Sequence, residues 1–315
     1  MRLIKQTTTI DFLGATRRKV ALALSAIVVV VSIVSLFTHE RPLELGIDFT
    51  GGILLEVGYP EAADLEAIRS NLAEAGFEDA QVQRFGADND VLVRLAPQEG
   101  IDPDELRENL RLTVAAGTAG VDLRRVEFVS PQVGKELTER GGLAMIIALL
   151  LIFIYVMVRF QWKFAAGAVA ALAHDVVVTV GFFSIFRFPF DLTVVAAVLA
   201  VIGYSLNDTV VAFDRIRENF FKLRGVSAEE SMNTSINEML ARTLITGATT
   251  LLVLVALLLF GGESIAPFSI ALIVGIVVGT YSSIYTASAT ALALGVNAQD
   301  LLEPVKDPDL IDDLP

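Results

Sequence analysis

Asp208 stands in the run GYSLNDTVVAFDRIRENF, residues 203–220, which continues an almost purely apolar stretch beginning near Leu192. A charged side chain near a bilayer centre costs about 2.5–3.5 kcal/mol on insertion scales, so such residues face a bundle interior or a water path and mark ion or proton routes. Asn207 adjoins it, and a second acid, Asp175, follows His174 in another apolar stretch. A single structural Asp, hydrogen-bonded to a neighbouring helix and kept neutral, is the bland alternative; two such acids with polar neighbours make one accidental burial a poor explanation. Asp208 lies seven residues before Arg215, about 10 Å along a helix axis. Arg242 sits a turn or so inside the fifth apolar stretch from the same side. Its side chain can either reach Asp208 or snorkel to lipid phosphates. Asp175 is about 18 Å from Lys163 by the same rise, near mid-membrane. His174 points about 100° away from it, so the two are expected not to face one partner.

Other chemistries find little support. The chain has no cysteine, hence no disulfide and no thiolate, and its two histidines, His39 and His174, lack metal-ligand spacing. No phosphate-binding GxxxxGK[ST] loop and no nucleophile elbow is present. The expectation is no enzyme, no cofactor and no metal, with an ion or proton route marked by Asp208 and the polar residues Asn207, Asp175 and Arg242. Sodium stays open, because a carboxylate with Asn, Ser and Thr nearby serves either ion.

The elements that hold these residues are membrane spans. Of 315 residues, 54% are hydrophobic and the mean hydropathy is +0.62, too apolar for an ordinary soluble chain. A span needs about 20 apolar residues, and six segments qualify: 20–37, 141–158, 164–186, 192–213, 240–260 and 266–294. The first follows Arg17, Arg18 and Lys19 like a signal peptide, but it is too long for one and no cleavage pattern precedes His39-Glu40-Arg41, so it is expected to stay as an anchor. Arg2, Lys5, Arg17, Arg18 and Lys19, then Arg159 and Lys163, then Arg215, Arg217, Lys222 and Arg224 fall on one side, against Arg187 on the other. The positive-inside bias puts both termini in the cytoplasm.

Between the first two spans lies a hydrophilic stretch, taken with its flanks as 38–140, which faces outward. Its pattern reads strand (53–57), helix (61–75), strand (80–85), strand (90–95), helix (103–116), strand (123–129). This βαββαβ order is that of a ferredoxin-like α+β domain with two helices on one face of an antiparallel sheet. Asp102-Pro103 marks a helix start, and Ala87 to Asp90 reads as a tight connection between strands. Residues 40–140 carry 21 acidic and 10 basic side chains, a balance of −11 within a chain of net charge −13. A solvated surface explains this, and attraction of basic or unfolded polypeptides is the functional alternative. No basic patch with interleaved aromatics appears, so nucleic acid is not expected.

Within the membrane, Gly275, Gly279, Ser283 and Ala287 recur every four residues along the sixth span, a stripe that lets helices approach closely. Close packing is the plain reading, and a sliding surface would look the same. Thr243, Thr246, Gly247, Thr249 and Thr250 make the cytoplasmic end of the fifth span polar, able to hydrate or to bond a neighbour.

Five motifs then resemble one family. GIDFTGG at 46–52, LAHD at 172–175, the 203–220 run, ARTLITGATT at 241–250 and GTYSSIYTASA at 279–289 fall in the order found in SecF, the smaller membrane subunit of the bacterial SecD–SecF export complex. The resemblance covers roughly residues 40–295. It implies one half of an RND-type transporter, a six-helix membrane bundle (141–294 joined to the anchor at 20–37) with SecD supplying the other half. It further implies an accessory role at the SecYEG translocon, where the proton motive force promotes export of an unfolded preprotein across the inner membrane. Asp208 and Arg242 match the family's proton-coupling Asp and Arg; the carry-over to Asp175 is weaker, and to His174 weaker still. A small-molecule or lipid efflux half and a non-transporting translocon scaffold are the rival readings. The segment 1–19 reads as cytoplasmic, and the acidic tail, 295–315, departs from any shared pattern and is expected to be disordered.

Overall fold

The computed structural model describes residues 8–38, 42–96, 103–223, 225–262 and 264–297. His39, Glu40, Arg41, Arg2, Lys5, Arg224, the Asp102 cap and the tail beyond Asn297 lie outside them. Six helical segments have the length and apolarity to cross a bilayer: α1 (Ala15–Thr38), α5 (Pro131–Arg159), α6 (Trp162–Phe186), α7 (Leu192–Lys222), α8 (Ala228–Phe260) and a composite sixth. The sixth runs as α9 (Ala266–Ser282), a π-helical segment (Ser283–Ala287) and α10 (Ser288–Ala293). All six expected spans are present.

Polar caps extend several of these helices past their apolar stretches. Ser130 caps α5, whose Pro131 stands in the first turn where its missing N–H costs nothing. Ser227 caps α8, and Arg215 of α7 reaches Glu238 of α8 at 2.6 Å. This extramembrane continuation of α7 and α8 is clasped by the chain's beginning: Asn233 accepts from the backbone N–H of Phe12 (2.7 Å), and Asn237 accepts from Ile10 (2.9 Å) and donates to its carbonyl (2.6 Å). Phe12 and Leu13 are buried beside α8, against Met232 and Ile236.

The sheet domain between the first two spans is built from β2 (Gly52–Gly58), α3 (Leu65–Glu74), β3 (Gln81–Phe85), β4 (Ala87–Leu95), α4 (Pro103–Val114) and β5 (Asp122–Val129). The antiparallel sheet runs β3-β4-β2-β5, so the expected βαββαβ arrangement is present. Alternate residues Ile53, Leu55 and Val57 of β2 and Val91, Val93 and Leu95 of β4 face Ile68, Leu72, Leu106 and Leu110 of the two helices, as the period of two demands. Two local expectations fail. α3 starts at Leu65 and not at 61, because Asp64 caps it, accepting from the N–H of Glu66 and Ala67. Ala87 to Asp90 belong to β4; the reversal is made by Gly86, whose φ of 80° favours glycine.

The GIDFTGG motif joins domain to bundle. β1 (Glu44–Leu45) pairs in parallel with β6 (Pro189–Phe190), and the short helix α2 (Ile47–Thr50) follows. Gly51 has φ 71°, and a Cβ there would lie 2.8 Å from the Cα of Pro131. Asp48 Oδ2 accepts from the Leu192 N–H at 2.9 Å, while Asp191 caps the same helix end through Val194. The domain's base is thus bonded to the N-terminus of α7. A cleft of about 640 Å³ opens here, lined by Glu44, Leu45, Thr50, Asp79, Gln81 and Arg94. Burial pulls the Arg94 guanidinium below its ordinary range, opposed by the Glu44 and Asp191 carboxylates.

Tyr59 donates from its hydroxyl to the Val114 carbonyl at 2.8 Å, tying β2 to α4, and burial pushes its pKa to about 12. The folded domain therefore holds this proton more tightly than the unfolded chain. The contribution is complete below about pH 10 and is lost as pH rises towards 12, on the order of 2–3 kcal/mol in all. Denaturant titrations at stepwise pH are expected to show the unmodified protein losing stability across that window and Tyr59→Phe losing less, from a lower starting point at pH 8.

Candidate functional site

Two buried carboxyl groups sit in the bundle in different circumstances. Asp175 of α6 is fully buried. Its Oδ2 accepts from Ser205 Oγ of α7 (2.6 Å) and from Ser282 Oγ of α9 (2.8 Å), and its Oδ1 lies 3.0 Å from His174 Nδ1. The His174 ring packs on Tyr281, 6.4 Å between centroids. Contrary to the sequence expectation, the adjacent residues do face one partner: both meet α9, at neighbouring positions 281 and 282, because the imidazole folds back onto its own neighbour's carboxyl.

Asp208 of α7 is 6% exposed, and its Oδ2 is buried with no hydrogen-bond partner. It lines a cavity of about 10 Å³ with Ala212, Ile236, Met239, Leu240, Thr243, Ser283 and Ile284. That is about the room one water-sized sphere needs. Ser283 Oγ stands 2.9 Å from Thr209 Oγ1 and donates to the Ser205 carbonyl, so the π segment forms one wall. Of the two readings of Arg242, contact with Asp208 or snorkelling, the first is not formed as an ion pair: none within 4.0 Å links the two among the described residues. Arg242 is exposed, yet close enough for its charge to act on Asp208.

Asn207 points away from this cavity. It is exposed on α7, as are Ala196, Ala200 and Gly203, and on α8 Arg242, Thr246 and Thr249 are exposed as well. Three of the α8 threonines bond within their own helix. Thr246, Thr249 and Thr250 each donate to a carbonyl one turn back in their own helix, satisfying themselves locally. A face of small and polar residues in membrane-spanning helices is thereby left uncovered by the described residues.

The stripe on the sixth span packs as expected. A Cβ at Gly275 would fall 2.1 Å from Cγ2 of Val201, and one at Gly279 would lie 3.1 Å from the Ser205 Cβ. Sequence reasoning missed Ser205 and Ser282 as partners of Asp175, and Ser283 in the wall of the Asp208 cavity with Thr209 to which it bonds; hydroxyls at those positions were the available signal. It also missed the π segment, whose composition matches any other span.

The chain is similar to known proteins in sequence and fold. The family described as "Protein export membrane protein SecD/SecF, C-terminal" matches residues 112–297, and the SecD/SecF GG motif matches 37–59. The protein translocase subunit SecF of Vibrio alginolyticus is 49% identical over 304 residues, covering 96% of this chain and 95% of that one. SecF of Pseudomonas aeruginosa is 49% identical over 309 residues, 98% of each. The crystal structure of SecDF from Thermus thermophilus, a translocon-associated membrane protein, superposes with TM-score 0.82 at 34% identity. This chain covers 39% of that longer one. A second SecDF structure, in a super-membrane-facing form, superposes at 0.66 with 35% identity.

The α7–α9 contact gives a direct check. Val201 is β-branched and buried, with little rotamer freedom to yield, so Gly275→Ala is expected to lower the thermal midpoint in detergent by several degrees. Gly203→Ala, with nothing within 4 Å of the added Cβ, is expected to leave it unchanged.

Proposed function

Since the chain belongs to the SecF family of protein-export membrane proteins, accessory subunits of protein translocation, we propose that it forms with a SecD subunit a proton-driven device that promotes export at the SecYEG translocon. The observation that carries this reading is the uncovered face of Asn207 and Gly203 on α7 and of Arg242, Thr246 and Thr249 on α8. An Asn and an Arg facing hydrocarbon are costly, and a second helical half covering them removes the cost. The match to SecDF, of which this chain spans 39%, supports a SecD-type half as the cover.

In this reading the partner closes the seam over Arg242, and Asp208 alternates between two settings. With the guanidinium drawn in, its charged form is favoured; with the guanidinium withdrawn, desolvation favours the neutral form. Proton uptake and release are thus tied to helix movement. One charge crossing 100 mV supplies about 2.3 kcal/mol, while inverting a 1:99 population needs about 5.5 kcal/mol, so more than one proton or a pH gradient contributes. The movement passes along α7 to Asp48 and the GIDFTGG junction. There it rocks the outer domain, which faces the far side of the inner membrane with both termini cytoplasmic, and holds an emerging unfolded preprotein against backsliding.

Assembly is tested by pull-down in mild detergent. Unmodified chain is expected to retain a SecD-type subunit, whereas Gly203→Leu with Asn207→Leu is expected to fold yet lose most of it; equal recovery would mean the seam lies elsewhere.

Coupling is tested in vesicles exporting a preprotein, with subunit abundance checked alongside. Asp208→Asn is expected to assemble normally and lose the gradient-dependent stimulation, and Arg242→Lys, which cannot form a planar fork, to lose part of it. An Asp208→Asn complex that stimulates at the unmodified level leaves only a scaffold role. Replacing the proton gradient by a sodium gradient in the same vesicles identifies the ion.

A further inference from the structure

Asp175 is the other buried acid, and its surroundings differ from those of Asp208 in every respect that matters for carrying a proton. Both of its oxygens are engaged, Oδ1 with His174 Nδ1 and Oδ2 with two serine hydroxyls from two other helices. The side chain is fully buried, and the cavity beside Asp208 is lined by Ser283 and not by Asp175. A proton carrier needs an exchange route; Asp175 is instead a three-helix knot, joining α6 to α7 and α9.

The position of the knot matters. Ser282 is the last residue of α9, and the π segment begins at the next residue, Ser283. π-helical turns are rare and persist where surrounding contacts hold them. Here the holders are visible. Ser282 is pinned by Asp175, Ser283 by Thr209 and the Ser205 carbonyl, and Thr286 stands 3.4 Å from Ser25 of α1. The wide turn also pushes the Ala287 carbonyl against Gly167 of α6, where a Cβ would lie 2.6 Å from that oxygen. Relaxing the segment into regular α-helix would shift its two flanks relative to one another by roughly one residue, about 100°, and break the register that holds Ser283 in the wall of the Asp208 cavity.

We propose that Asp175, Ser205 and Ser282 are positioning residues for the Asp208 site: the carboxyl pins the start of the π segment so that Ser283 walls the cavity in which Asp208 works. This rests on the Asp208 reading above, but makes a separate claim, that Asp175 acts as a hydrogen-bond acceptor and not as a second proton carrier.

The two roles separate cleanly by substitution. Asp175→Asn keeps a carbonyl oxygen able to accept both hydroxyls and removes titration, whereas Ser282→Ala removes a pin and changes no titratable group. The chain has no cysteine of its own, so a pair at Ala212 and Ile284, which both line the cavity, reports its geometry through the yield with a short thiol-reactive crosslinker. Gradient-dependent export is measured in parallel, without the cysteine pair, together with its pH profile and the abundance of the assembled complex. The expected result is that Ser282→Ala lowers crosslink yield and export stimulation together, each several-fold, at normal abundance, while Asp175→Asn retains both with an unshifted pH profile. Loss of both signals in Asp175→Asn would overturn the claim that accepting the two hydroxyls is its whole role. The proposal is overturned if Ser282→Ala leaves either signal at the unmodified level, or if Asp175→Asn keeps the crosslink and loses stimulation. Asp208→Asn in the same assay reports on the underlying reading: if it retains stimulation while Ser282→Ala still loses the crosslink, the coupling assignment fails and the pinning geometry stands.

Discussion

The structure turns on the cost of keeping a polar atom in hydrocarbon without a partner. A bundle of six apolar helices can afford few such atoms, and here they are sorted into two kinds. The Asp175 carboxyl is saturated by His174, Ser205 and Ser282. That of Asp208 is left with a free oxygen beside a cavity about one water across. The first arrangement favours permanence and the second favours change. Much of the surrounding sequence serves this division: glycines at 275 and 279 bring α9 close enough for Ser282 and Ser283 to reach α6 and α7.

α7 carries the consequence outward. Its middle holds Ser205, Asp208 and Thr209, and its N-terminus is capped by Asp191 and bonded to Asp48 of the GIDFTGG junction. Gly51 lets that junction turn tightly against Pro131 at the head of α5. A second contact, from Arg125 of β5 to Ser264 beside α9 at 3.1 Å, touches the loop that precedes the sixth span. The domain is thus seated on the ends of the helices that meet at the two acids, so a tilt of α7 or α9 has a short mechanical path to it.

The large features were legible in the sequence because they rest on periodicity. Unbroken apolar runs marked the spans, and alternation with Val and Leu marked β2 and β4. Local boundaries were less so: Gly86 alone turns β3 into β4, and its neighbours Asp88 and Asn89 have turn-forming composition while lying inside a strand. The acids themselves were legible from their cost, but not their partners. A serine in a membrane helix bonds its own backbone as readily as a neighbour, as Thr246 and Thr249 do, and only the three-dimensional register shows that Ser205 and Ser282 converge. The π segment leaves no trace in composition at all. Arg242 is exposed on α8 among the described residues, where a second subunit would meet it.

The central claim is that protonation at Asp208 moves the outer domain through α7. Spin labels on a cysteine in β3 and on one near the outer end of α8, in the two-subunit complex reconstituted in vesicles, allow that distance to be followed with and without a proton gradient. The account predicts a gradient-dependent shift in the distance distribution for the unmodified chain and a fixed distribution for Asp208→Asn. A shift that persists in Asp208→Asn would contradict it.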